Sequence, residues 1–127
     1  MDDVEEHLAK AHQRLGAATE LFKHQYYEDS VNRAYYAMAS AATAALRMKD
    51  ITAKTHKGLH IKFSKEYVEP GLLDPDNRRM FRYAEDMRYK ADYQSSVTIT
   101  EEEAEAILED ARAFLERVEE LIGKMRQ

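Results

Sequence analysis

NRAYYAMASAATAAL, residues 32–46, decides the fold. Seven of the twelve residues from Ala34 to Ala45 are alanine. Alanine is the strongest helix former, and no glycine or proline interrupts the run. Val31, Tyr35, Met38, Ala42 and Leu46 (or Ala45) recur at helical spacing and mark one face. The pattern predicts a helix from about Tyr27 to Met48. Small side chains let neighbouring helices approach closely, so this helix is expected at the centre of a bundle.

Upstream, Val4, Leu8, Ala11, Leu15, Ala18 and Phe22 alternate steps of four and three. They predict an amphipathic helix from about Asp3 to Lys23, with a break at Gln25 to Glu28. Downstream, KDITAKTHKG (49–58) reads as a loop leading to a third helix over about Thr55 to Val68. Thr55 is its expected cap, and His56, Leu59, Phe63 and Tyr67 its expected inward stripe. EPGLLDPDN (69–77) breaks the chain, with Pro70-Gly71 as a turn. Asp74-Pro75 reads as an N-cap followed by proline at the first helical position.

The fourth helix is expected to run to about Ala91 on a core face of Met80, Ala84, Met87 and Ala91. QSSVTIT (94–100) is a linker, and Thr100 with Glu103 forms a capping box. The last helix carries Ala104, Leu108, Ala111, Leu115, Val118, Ile122 and Met125. Ile107, Phe114 and Leu121 widen that face enough for two neighbouring helices or for a second subunit. The expectation is an all-α, antiparallel up-and-down helical bundle of four long helices and one shorter helix, a single domain over residues 1–127.

Composition narrows the function classes. The absence of cysteine excludes disulfides, cysteine nucleophiles and thiolate metal sites. No apolar run approaches the roughly 20 residues of a membrane span, and MDDVEEHLAK lacks a signal-peptide core. A soluble cytoplasmic protein with no membrane association is expected. The formal charge of −5 argues against a dedicated duplex-DNA binder. The charge is unevenly spread: residues 47–90 hold 11 Lys and Arg against 7 Asp and Glu, and the remainder 8 against 17. The middle is basic and the ends are acidic.

Three stretches are candidates for chemistry. In RYKADYQ (88–94), Arg88 borders the core stripe beside Met87, with Asp92 at i+4 and Glu85 at i−3. It is either an ordinary helical ion pair or a guanidinium oriented for phosphate. Asn32, Arg33, Tyr35 and Tyr36 place amide, cation and phenols on an alanine-rich helix, suited to a core edge or to base stacking. KTHKGLHIKFSK (54–65) is basic, and His56 and His60 stand at i, i+4. With no HExxH glutamate and no third ligand, neither a metal site nor a cofactor is read there. No Gly-rich phosphate loop, GxSxG motif or glycosidase-like acid pair is present.

Taken in order, NRAYYAMASAATAAL, KTHKGLHIKFSKEYV, the Pro70-Gly71 turn, RYKADY and ITEEEAEAILEDA resemble the HEPN (higher eukaryote and prokaryote nucleotide-binding) superfamily. The likeness is to its small stand-alone archaeal and bacterial branch and spans nearly the whole chain. The resemblance implies a bundle of four to five helices, a two-fold homodimer and a minimal nucleotidyltransferase as partner. Some such pairs act as toxin and antitoxin. The family's active members are metal-independent RNases, marked by an arginine followed after four to six residues by a histidine. Arg88 matches the arginine, but Tyr93, Gln94 and Ser95 fill the histidine places. The resemblance therefore implies a nucleotide- or RNA-binding or regulatory protein with a degenerate RNase motif. Its binding residues would be Arg88, Asp92, Tyr93, Asn32, Arg33, Tyr36, Lys54 and His56. A metal-independent RNase toxin using Arg88 and Tyr93 is the alternative, and a structural interaction module the second.

Overall fold

The computed structural model describes residues 2–96 and 98–127; Val97, within the expected linker, lies outside the described residues. Five α-helices follow one another: α1 Asp3–Lys23, α2 Tyr27–Arg47, α3 His56–Phe63, α4 Asp76–Tyr93 and α5 Glu101–Met125. No strand occurs among the described residues. The all-α bundle expected from the periodicity is the observed class, with α3 the short member.

The helix ends follow local chemistry. The Asp2 carboxylate accepts from the Glu5 amide and starts α1. Thr55 Oγ1 accepts from the Gly58 amide and starts α3. At α5 the Thr100–Glu103 capping box is complete in both directions. At α4 the expectation shifts by one residue: Pro75 is the N-cap and has no side-chain cap, while Asp74 Oδ1 accepts from the Asp76 amide at 2.8 Å just ahead of the helix. Between α1 and α2 the chain reverses through Gln25, whose φ is 67°. Gly71 closes the turn before α4 at φ +86°, where a side chain would be strained.

α2 is the centre of the bundle and packs against each of the other helices. All seven alanines between Ala34 and Ala45 are buried, as are Val31, Tyr35, Met38 and Leu46. The α1 stripe divides: Val4, Ala11 and Ala18 are buried, while Leu8, Leu15 and Phe22 pack half-buried against them. The wide face of α5 is consumed inside the chain, because Ile107, Leu108, Phe114, Leu115 and Val118 are all buried. Neither α2 nor α5 therefore keeps a broad apolar face for a second subunit.

The third helix departs from its expected single run. After Phe63 the backbone widens into a π-helical turn over Ser64–Val68. Its signature is the Glu69 amide donating to the Ser64 carbonyl at 2.8 Å, five residues back. The widening brings the Tyr67 hydroxyl onto the Ala45 carbonyl of α2. Leu59, Phe63 and Tyr67 point inward as expected, but His56 is exposed and His60 turns inward in its place. The cause is the helix start: His56 is the first residue of α3, at its rim. Phe63, Phe81 and Phe114 then meet with ring centroids 5.2–5.9 Å apart, joining α3, α4 and α5. Each such aromatic pair contributes about 1 kcal/mol beyond its buried area.

Candidate functional site: a buried polar chain across three helices

Arg88 sits on the shoulder of the α4 core stripe and is only 6% exposed. Its Nη2 donates to Glu85 Oε1 at 2.9 Å and its Nη1 to Asp92 Oδ2 at 3.3 Å. Both partners stand one helical turn away on the same face. The guanidinium also lies over the rings of Tyr35 (5.1 Å) and Tyr36 (5.6 Å) of α2. Burial opposes the charge on Arg88, but the bond to Glu85 and that carboxylate's charge outweigh it and raise its pKa. Arg88 is thus a permanent cation.

The chain of contacts continues on both sides. Asn32 of α2 donates through Nδ2 to both Asp92 oxygens, at 3.0 and 3.3 Å. This meets the need of an amide placed among small residues. On the other side, Glu85 Oε2 lies 3.6 Å from His60 Nε2. Burial works against the charge on Glu85, yet the nearby Tyr35 hydroxyl and the bonded, charged Arg88 guanidinium hold its pKa below the ordinary carboxylate value. The His60 ring stacks on Phe81 with centroids 3.7 Å apart. Burial lowers the His60 pKa to about 4, so the ring is neutral at pH 7. The Tyr35 hydroxyl lies 3.0 Å from His56 Nδ1 and 3.1 Å from His60 Nε2. It carries one proton and so donates to one of its neighbours at a time. Burial, then Glu85, raises the Tyr35 pKa far above that of a free phenol.

The sequence candidates fall into three groups. Asn32, Tyr36, His56, Arg88 and Asp92 belong to this chain, Tyr36 through its ring 5.7 Å from that of His56. Tyr93 does not: it is 68% exposed, its ring 4.9 Å from that of exposed Tyr89. Arg33 is exposed on α2, and Lys54 faces a separate cleft with His7, Lys10 and Arg14. Arg88 as a phosphate-facing cation is not what the side chain presents here. It is buried between two carboxylates, and the cluster of Arg88, Glu85 and Asp92 carries a net charge of −1.

The sequence singles out Tyr35 and His60 but does not join them to Arg88. Tyr35 reads as core from its stripe, and His60 as half of an i, i+4 histidine pair. That α3 lies across α2 and α4 is the missing information. His60 and Glu85 reach the surface in a groove of about 400 Å³ between α3 and α4, walled by Lys57, Ile61, Arg82 and Asp86. Among the described residues no group of three His, Asp or Glu is assembled to hold a metal ion. No helix among them is long and apolar enough to cross a membrane.

The HEPN domain family model matches residues 4–121. The chain belongs to the HEPN family. Two proteins of Methanocaldococcus jannaschii that carry the printed name "Putative toxin" are similar to this HEPN chain. One is 33% identical over 98% of this chain and 92% of its own length. The other is 32% identical over 96% of this chain and 84% of its own. An Archaeoglobus fulgidus protein named UPF0332 protein is 32% identical over 99% of this chain and all of its own. The polar chain around Arg88 is therefore what this HEPN bundle builds at the arginine of RYKADYQ.

Proposed function

We propose that this HEPN protein binds nucleotide or RNA without cutting RNA, as a homodimer that works beside a minimal nucleotidyltransferase. One observation carries the reading: the motif arginine is buried between two carboxylates, and exposed Tyr93 stands in the histidine place. Metal-independent RNA cleavage needs a base for the 2′-hydroxyl proton and a cation for the phosphate. A phenol is a poorer base than an imidazole at neutral pH. His60, the nearest imidazole to Glu85, is neutral but 90% covered. Binding is supported by the exposed Tyr89 and Tyr93 rings, a platform on which bases can stack. Since α2 and α5 bury their apolar faces internally, the dimer would use exposed apolar residues such as Ile61.

Labelled single-stranded RNA incubated with the protein in EDTA tests the reading. Bound, intact RNA is expected, with Tyr93→Ala weakening binding by about fivefold or more. Intact RNA with no binding of RNA or nucleotide would leave only the structural interaction module. EDTA-resistant cleavage that disappears in a folded Arg88→Lys protein would establish the second reading, a metal-independent RNase toxin. The printed names of the two Methanocaldococcus relatives favour that reading. Co-purification from the native host tests the partner, and a nucleotidyltransferase in the eluate is the expected result.

A further inference from the structure

A second polar site lies outside the Arg88 chain. α1, α2 and the loop before α3 enclose an open cleft of about 290 Å³. Three permanent cations line it: Lys10 and Arg14 from α1 and Lys54 from the loop. His7, His56 and the hydroxyl-bearing Ser40, Thr43 and Thr55 complete the polar wall, and Ala39, Ala53 and Leu59 form an apolar floor. No carboxylate lines the cleft. The acid bonded to His7, Asp3, also binds Arg47 Nε at 2.5 Å. In a chain of net charge −5, a cleft walled by three cations and no acid is an unusual concentration of positive charge.

The cations are not there to stabilise each other. Lys10 and Lys54 are exposed and make no ion pair among the described residues. Arg14 is fixed in place: Nη1 donates to the buried Ser40 Oγ at 2.5 Å, and the guanidinium stands 5.8 Å over the Tyr36 ring. A guanidinium held in one orientation, flanked by two mobile ammonium groups and hydroxyls, suits an oxyanion with several acceptor atoms. The start of α3 borders the same wall through Thr55 and His56. The apolar floor suits a sugar or base edge beside the anion.

We propose that this cleft binds a phosphate group of a nucleoside phosphate or of a single-stranded RNA backbone, with Lys10, Arg14 and Lys54 as its cations. The assignment rests on the nucleotide- or RNA-binding reading above and gives it a location distinct from the motif arginine. Tyr36 links the two sites: the Arg14 and Arg88 guanidinium groups stand 5.8 and 5.6 Å from its ring centroid. His56 does the same, bonded to Tyr35 on one side and lining the cleft on the other.

The test titrates three probes separately, inorganic phosphate, AMP and a single-stranded RNA ten-mer, against wild type and Lys10→Gln/Lys54→Gln. Both lysines are exposed, so the double variant is expected to fold. Backbone amide NMR signals of Ser40, Lys54, Thr55 and His56 are expected to move with AMP or RNA. The double variant is expected to bind about tenfold more weakly. For RNA, three neutralised phosphates predict a slope of about −2 in log K against log salt, falling to roughly −0.7 in the double variant. A response to AMP assigns a mononucleotide site, and a response to RNA alone assigns a strand backbone. Equal affinity and equal salt slope in wild type and the double variant would overturn the cleft. If Tyr93→Ala still weakens RNA binding in that case, the broader reading survives without it. No response to any of the three probes would overturn both.

Discussion

At the scale of single residues the chemistry turns on Arg88 and on what it leaves behind. Removing one member of a buried pair exposes the other to an uncompensated environment, which costs about 3 kcal/mol. Arg88→Met is therefore expected to lower stability by that order, because Glu85 loses its main partner and Oε2 already has no hydrogen bond of its own. Glu85→Gln/Arg88→Met is expected to recover much of the loss, since no buried charge then remains between them. Urea unfolding of wild type and the two variants measures this, and equal losses in the single and double variants would contradict it. His60 sets the pH behaviour. Its pKa is about 4 folded against an ordinary 6.5, so the unfolded chain takes up a proton that the folded chain refuses. Stability is expected to fall as pH drops from 6.5 toward 4, with a slope of up to one proton. Glu85, depressed below its ordinary 4.5, adds stability that is present above pH 4.5 and lost as pH falls through its folded value. His60→Gln is expected to flatten the upper part of that curve; an unchanged midpoint-against-pH profile would show that the ring is not buried neutral.

At the scale of elements, helix existence was written in the periodicity and helix placement was not. α1, α2, α4 and α5 follow from apolar spacing, and the Thr100–Glu103 box that starts α5 was readable residue by residue. Thr100→Ala is expected to cost about 1 kcal/mol in thermal or urea unfolding, because the Glu103 amide loses its acceptor. The alanine run of α2 correctly signalled close approach. Ala41, fully buried, is expected to reject leucine at a cost of about 2 kcal/mol or more by overpacking. What spacing could not supply was the form of the third helix: the expected run to Val68 is present with Thr55 as its cap, but it turns π-helical after Phe63, and His60 takes the inward place expected of His56. The same limit hid the polar chain. Asn32 bonds Asp92 across 60 positions and Tyr35 meets His60 across 25, and separations of that kind carry no local signature.

At the scale of the whole molecule, the charge division seen in the sequence is rearranged by folding. The basic middle was legible, but its meeting with Lys10 and Arg14 from the acidic N-terminal helix was not, because α1 reaches the α2–α3 loop only in the bundle. The fold also separates functions that RYKADYQ seemed to hold together: Arg88 and Asp92 go into the buried chain, while Tyr93 stays on the surface. The proposed binding without cleavage rests on this arrangement, with Arg88 paired to Glu85 and Asp92 inside the bundle and aromatic and cationic groups outside it. The most direct measurement follows the fate of a labelled single-stranded RNA incubated with the purified protein in EDTA. The account predicts RNA that is retained by the protein and intact, with binding weakened by Tyr93→Ala. RNA cut by wild type and left whole by folded Arg88→Lys would contradict it.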